Sequence, residues 1–143
     1  MTNMKITNKQ KQLAEKIVKK YDLDFVVAFG SRINGKARQD SDLDIAVMGH
    51  KNNGSYKKYG SLFNEFSKIF PEFNIDLRLI QGSEPVFLYN VFLKGKFLAG
   101  DLQKFYSYKA FAYKNYIDSQ SFFALKHKLL HKRQQEITKL IHD

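Results

Sequence analysis

Two acidic residues with a single residue between them, Asp42 and Asp44, give the strongest chemical signal in the sequence. The apolar run from Leu43 to Met48 predicts a strand. Because strand side chains alternate between two faces, both carboxylates are expected on one face, with Leu43 and Ile45 turned into the core. Neighbouring carboxylates repel unless a cation neutralises them, and Mg²⁺ is usually held by one or two carboxylates together with phosphate oxygens. The pair therefore predicts a magnesium and phosphate site.

A Gly-Ser pair, Gly30-Ser31, precedes the first of these acids by ten residues. It follows an apolar run, 25–29, which predicts a buried strand, and it stands where a short helix should begin. Glycine allows a ligand to approach the backbone closely, and the N–H groups at a helix start bind phosphate. The Ser31 hydroxyl would add a further hydrogen bond.

A third acid, Asp76, lies inside the next predicted strand, 73–80. An aspartate among apolar strand neighbours is unfavourable without a partner. If this strand pairs beside 43–48, three carboxylates share one site and could hold two metal ions. Two such ions would stabilise the entering and the leaving oxygen of a phosphoryl transfer.

The remaining pattern predicts the elements that must position these residues. Thr7 and Gln10 form a capping box ahead of a helix from Asn8 to Tyr21. Further elements are predicted as helices at 62–70 and 85–92, a turn with an edge strand at 94–99, and a polar loop at 50–55.

The C-terminal part from Asp101 onward contains neither Gly nor Pro and has a helical pattern, with Asp101 as its N-cap. One unbroken helix of about 40 residues would be about 60 Å long, whereas the radius of gyration expected for this chain is about 15 Å. The helix should therefore break or project, and residues 118–121 are the predicted break. Its aromatic residues form two stripes, one expected on the sheet and the other on the sheet or a partner: Phe105, Tyr108, Ala112, Tyr116 and Phe123, then Tyr106, Tyr113 and Ile117.

Composition limits the class of protein. The chain has 143 residues, a net charge of +10 and no Cys, which excludes disulfides, cysteine-ligated metals and cysteine nucleophiles. No apolar run approaches the roughly 20 residues of a membrane span, so we expect a cytoplasmic protein with no membrane contact. The 20 Lys are scattered, so direct nucleic-acid binding is not expected, and His127 and His131 lie among Lys and Arg rather than in a metal site.

The Gly-Ser pair, the ten-residue spacing and Asp42-x-Asp44 resemble the signature of the polymerase-β-like nucleotidyltransferases. Ala37-Arg38-x-x-Ser41-Asp42-x-Asp44 is similar to the minimal nucleotidyltransferase (MNT) antitoxins, which pair with HEPN-domain toxins. Tyr116-Ile117-Asp118 followed by Phe122 resembles the tail of that group, although the Pro that often follows the Asp is missing.

This resemblance implies an α+β fold, with a small mixed sheet, helices on one side and a C-terminal helical segment. It implies a catalytic core over residues 1–100 and a helical segment over 101–143, packed on the core and available to a partner. It also implies Mg²⁺-dependent transfer of AMP from ATP to a tyrosine of a HEPN-type RNase toxin, which inactivates the toxin in a hetero-oligomer.

The resemblance also assigns roles to residues. Gly30 and Ser31 would hold the triphosphate, with Arg38 and Ser41 as further nucleotide contacts. Asp42 and Asp44 would bind both magnesium ions, and Asp76 would bind the catalytic ion and help to remove the tyrosine proton. Lys36 and Arg78 are candidates for phosphate or partner contacts.

Two other functions remain open at this point. One is nucleotidyl transfer to a small molecule such as an aminoglycoside, which needs a substrate pocket that a short chain hardly provides. The other is a non-catalytic protein, either an antitoxin that neutralises by binding alone or a basic nucleic-acid-binding module. Intact acids at all three positions favour an enzyme, and no helix-turn-helix or RNP-like pattern is present.

Overall fold

A four-stranded mixed sheet with helices on both faces forms the body of the protein. The computed structural model describes residues 4–38, 40–49 and 57–142. In chain order these residues form α1 (Asn8–Tyr21), β1 (Leu23–Phe29), α2 (Ser31–Asn34), β2 (Leu43–Gly49), α3 (Tyr59–Ile69), β3 (Ile75–Leu79), α4 (Pro85–Lys94), β4 (Lys96–Gly100) and α5 (Leu102–His142).

The strand order is β3-β2-β1-β4, so the two strands predicted to carry the acids are neighbours. β1 is antiparallel to β2 and to β4, whereas β2 and β3 are parallel. Parallel neighbours need a crossover connection, which α3 supplies. The mixed sheet and the edge position of β4 are confirmed.

Each face of the sheet carries its own apolar core. On one face α1 and α3 pack against side chains that include Val26, Ile45 and Leu77. On the other face α4 and α5 pack against Phe25, Val27 and their neighbours. The prediction of helices on one side only was therefore wrong. An apolar run without alternation, as in β1, indicates a strand covered on both faces.

Most predicted helices and strands are confirmed to within a few residues. The Thr7 hydroxyl accepts from Gln10 N, the Gln10 side chain accepts from Thr7 N, and α1 spans the predicted range. Asp101 caps α5, because its Oδ1 accepts from the N–H groups of Gln103 and Lys104 at 3.0 and 3.2 Å. The loop predicted at 50–55 lies outside the described residues. No helix in the described ranges has the length and apolarity to cross a bilayer.

The predicted break at 118–121 was wrong, because α5 is one continuous helix of 41 residues that includes these positions. Asp, Ser and Gln lower helix stability by only a few tenths of a kcal/mol each, and no Gly or Pro interrupts the pattern. The alternative expectation, a projecting helix, is what the structure shows. Phe105 and Ala112 are buried against the body, whereas every residue from 120 to 142 is exposed.

Phe105 fastens the start of α5 to the sheet. Its ring packs within 5.6 Å of the rings of Phe25 and Phe92 and within 5.4 Å of Phe97, and it is only 4% exposed. Nearby, Lys104 Nζ donates to the buried Asp24 carboxylate at 3.1 Å. The helix therefore leaves the body from a well-packed base.

We expect Phe105→Ala to lower the free energy of unfolding by about 3 kcal/mol, since it removes a buried aromatic ring from a three-ring contact. Urea denaturation measures this change. Phe111→Ala on the same helix is the matched control, because Phe111 is 58% exposed and should change stability by less than about 0.5 kcal/mol. Equal losses in the two variants would show that Phe105 is not a core residue.

Candidate active site

The parallel pairing of β2 and β3 sets two of the predicted acids directly side by side. Asp44 and Asp76 are register partners, so their side chains lie on the same face of the sheet. The strand neighbours Leu43 and Ile45 are fully buried on the opposite face, as predicted. The acids share the face of the sheet that α4 and α5 cover.

The closeness of the two acids changes the acidity of Asp44. Partial burial, a hydrogen bond with the Asp76 carboxyl and the Asp76 charge, in that order, raise the pKa of Asp44 from 3.8 to about 6. The charge of Asp42 acts in the same direction, whereas the Arg78 guanidinium opposes it. The site therefore has an excess of negative charge that favours a bound cation.

Gly30 forms the wall of the site opposite Asp44. Its φ is +83°, and a Cβ at this position would collide with Asp44 Oδ2 and lie 2.9 Å from Asp44 Cγ. Only glycine fits this conformation and this contact without strain. The sequence predicted a close approach of a ligand to Gly30, and the structure adds a close approach of the carboxylate itself.

Arg32 connects the short helix α2 to the loop before Asp42. Its Nε and Nη2 donate to the carbonyl oxygen of Ser41 at 3.0 and 2.9 Å, and its guanidinium stacks over the Phe73 ring at 4.8 Å. A two-pronged contact of this kind fixes orientation as well as distance. Arg32 thus positions the segment that leads into Asp42. Arg32 directly follows Ser31 in the sequence, but no spacing signal indicates its acceptor.

The other predicted contact residues have distinct settings. Ser31 begins α2, and within the described residues no side chain caps the N-terminus of that helix. The Ser41 hydroxyl accepts from Arg38 N at 2.8 Å and so closes the turn, while the Arg38 side chain is exposed. Lys36 is also exposed. The predicted ligand roles of these residues stay predictions.

Arg78 lies beside the acidic pair rather than apart from it. Its Nε is 3.5 Å from Asp76 Oδ2, and its guanidinium lies over the Phe87 ring at 5.4 Å. Phe87 in turn makes an edge contact with Phe29 at the end of β1. One cation therefore already balances part of the negative charge, on the side of Asp76.

The donor set fits a magnesium ion that also uses ligands from a substrate. Asp44 and Asp76 are adjacent oxygen donors, and Asp42 adds charge from just before β2. Across 4–38, 40–49 and 57–142, no three His, Asp or Glu side chains are grouped closely enough to hold a metal alone. Mg²⁺ commonly takes one or two carboxylates and completes its shell with phosphate oxygens and water, which matches a pair of this kind.

We expect Asp44→Asn to stabilise the metal-free protein near neutral pH. The raised pKa means that the ionised carboxylate opposes folding: the effect is absent below about pH 4, grows up to about pH 6 and is complete above it. After a discount for solvent screening at this partly exposed site, the gain in unfolding free energy at about pH 7.5 should be about 1 kcal/mol.

Urea denaturation with a chelator, repeated at about pH 7.5 and about pH 4, measures this gain and its loss. Asp40→Asn, in the loop before β2 and exposed, is the control and should change stability by less than about 0.5 kcal/mol at either pH. A gain that does not depend on pH, or a loss of stability near neutral pH, would contradict the assigned electrostatics.

Solved structures share the fold of this chain. A crystal structure of a toxin–antitoxin with AMP-PNP matches with a TM-score of 0.66 and 21% identity, over 87% of this chain and 99% of that one. A crystal structure of the toxin–antitoxin MntA-HepT matches with a TM-score of 0.63 and 18% identity, over 87% and 99%. A tri-AMPylated Shewanella oneidensis HEPN toxin in complex with MNT antitoxin matches with a TM-score of 0.58 and 21% identity, over 85% and 98%.

At these identities the structural matches establish the fold alone. No curated protein matches the chain significantly. A family model described as polymerase beta, nucleotidyltransferase matches residues 11–103, which include most of α1, all four strands and the acidic pair. Because this match covers well over half of the sequence, the chain belongs to the polymerase beta nucleotidyltransferase family.

Proposed function

We propose that this protein is a Mg²⁺-dependent protein adenylyltransferase, which transfers AMP from ATP to a tyrosine of a HEPN-type RNase toxin and thereby acts as its antitoxin. The observation that carries the proposal is the Asp44–Asp76 pair in register, with Gly30 against Asp44. Family membership supports the nucleotidyl-transfer class. The AMP-PNP in one structural neighbour and the HEPN toxin in another support the nucleotide and the partner.

In the proposed reaction the tyrosine oxygen attacks the α-phosphorus of ATP, the bond to the β-phosphate oxygen breaks, and pyrophosphate leaves. Gly30 and Ser31 hold the triphosphate, with Arg38 and Ser41 as further contacts. Asp42, Asp44 and Asp76 would hold two magnesium ions together with phosphate oxygens, and the bound ions would neutralise phosphate charge and polarise the reacting phosphoryl group. Asp76 also accepts the proton of the attacking hydroxyl.

This chain's own residues contribute mainly position and charge, which is where phosphoryl-transfer enzymes obtain most of their rate. Arg32 fixes the loop before Asp42, and the β2–β3 register fixes Asp44 against Asp76. Arg78 lies with its Nε 3.5 Å from Asp76 Oδ2 and so helps to orient that carboxylate. These contacts support the proposal of a site that is set up before any substrate arrives.

The activity test combines the protein with labelled ATP, Mg²⁺ and the HEPN-type product of the neighbouring gene. We expect a mass gain of one AMP or more on a tyrosine of that product. Asp42→Ala with Asp44→Ala should reduce transfer at least about 100-fold, because it removes the charge that binds the cations. Glu72→Gln, which changes an exposed acid in the turn before β3, should transfer normally.

If the wild-type protein leaves the HEPN-type protein unmodified, the proposed chemistry is contradicted. Toxin neutralisation that survives in the double Asp variant would instead favour an antitoxin that acts by binding alone. Modification of an aminoglycoside but not of the protein would favour a small-molecule acceptor.

Gly30→Ala should reduce transfer about 100-fold or more, because the added methyl group displaces the Asp44 carboxylate from its position. Gly82→Ala is the matched control. Gly82 also has a positive φ, +76°, but a Cβ there meets no atom within 4 Å. It therefore isolates the backbone strain, about 1 kcal/mol, from the collision. Initial rates of AMP transfer, measured well below the melting temperature of each variant, separate the two effects. Equal losses of rate in both variants would show that backbone strain alone is responsible.

A further inference from the structure

The distal segment of α5, residues 120–142, extends from the body with every residue exposed. At 1.5 Å per residue it is about 35 Å long. Nothing in the described body packs against it, and a single helix of this size gains little stability from its backbone alone. The surface of this segment is therefore a candidate binding site for a partner.

One side of the distal segment is strongly apolar. Eight large apolar side chains are between 49% and 78% exposed. At 100° per residue they fall within an arc of about 160°. They are Phe122, Phe123, Leu125, Leu129, Leu130, Ile137, Leu140 and Ile141. A contiguous apolar surface of this extent marks an interaction site.

Two cations lie within this apolar arc rather than at its edges. Lys126 and Arg133 are seven residues apart, so they share one line along the helix and fall near the middle of the arc. They border a shallow surface groove together with Phe122, Leu125, Leu129 and Leu130. The one acid of the segment, Glu136, lies near an edge of the arc. A partner that covers the apolar side is therefore favoured if it sets carboxylates opposite the two central cations.

The docking face continues the face that the body already covers. Ala112 is buried against the body, and Lys126 and Arg133 follow it at multiples of seven residues. Tyr116 stacks on Tyr89 at 4.0 Å, and Phe123, Leu130 and Ile137 follow it in the same way. An occupant of the distal face would thus continue the packing that the body makes with the first part of α5.

The two cations disfavour both a second copy and a membrane as the occupant. The distal segment carries five Lys and Arg residues and a single acid, Glu136, so two copies packed along this face would bring mostly like charges together. Helices that lie on membranes carry their cations on the polar face, whereas here two occupy the centre of the apolar face.

We propose that the distal face of α5 binds an acidic amphipathic helix of the partner protein, whose carboxylates pair with Lys126 and Arg133 between apolar contacts. The inference rests on the proposed function in one respect, since it takes the partner to be the HEPN-type toxin. Helix-in-groove recognition supplies the affinity through the apolar contacts, and the charge pairs select the partner and its register.

The test measures the Kd between the full-length protein and the HEPN-type neighbouring-gene product by calorimetry without ATP. Lys126→Glu with Arg133→Glu should weaken binding about 30-fold or more, because it sets like charges against the partner's carboxylates. Lys128→Glu with Lys139→Glu makes the same change of net charge outside the apolar arc and should stay within about threefold of wild type. Circular dichroism melts establish that both variants are folded.

Unchanged binding in the first variant, or equal losses in the two, would overturn the docking face. Light scattering of the protein alone tests for a second copy, and a wild-type dimer that Lys126→Glu with Arg133→Glu dissociates would also overturn it. Sedimentation with phosphatidylglycerol vesicles tests whether a membrane is the occupant. Vesicle binding that depends on Lys126 and Arg133 would also overturn the proposed docking face.

The two proposals fail separately in this design. AMP transfer that proceeds while the Lys126→Glu, Arg133→Glu variant binds normally would leave the activity standing and remove the docking face. If that variant alone loses binding and the wild-type protein transfers no AMP, the proposed docking face stands and the proposed activity is contradicted.

Discussion

The repulsion between two carboxylates held in register is the constraint on which the rest of the structure depends. Asp44 and Asp76 are neighbours only because β2 and β3 are parallel, and that pairing needs the α3 crossover. The opposite faces of the same strands bury Leu43 and Leu77 under α1 and α3. Apolar burial on one face therefore stabilises strands whose other face ends in an electrostatically unfavourable pair, which a bound cation would relieve.

The sequence was sufficient for those parts of the structure that local chemistry decides. The capping box fixed the start of α1, and the alternation around Asp44 correctly separated its face from that of Ile45. The β2–β3 pairing could be stated only as a condition, since no local pattern reports which strands become neighbours. The placement of helices on both faces could have been predicted from the sequence, because the unbroken apolar run of β1 indicates a strand covered on both sides.

Contacts between side chains that are distant in the sequence could not be predicted from it. Nothing in the spacing of Arg32 and Ser41 identifies a guanidinium–carbonyl contact, because it depends on how the loop folds back over Phe73. The collision that makes Gly30 necessary involves Asp44, fourteen positions later. For α5 only the predicted break at 118–121 was wrong: the expected size of a compact chain allowed either a break or a projection, and the absence of any residue that ends a helix favours the projection.

The separation of the core from the distal segment of α5 also has a consequence for synthesis. The buried apolar side chains of the described chain lie between Ala14 and Ala112, so all of them precede the distal segment in the order of translation. Domains fold as units once their residues are available, with earlier parts first. The body can therefore close its core without any side chain of the distal segment. The exposed apolar face is then carried on a support that folds independently of it, which limits its chance to enter the core by mistake.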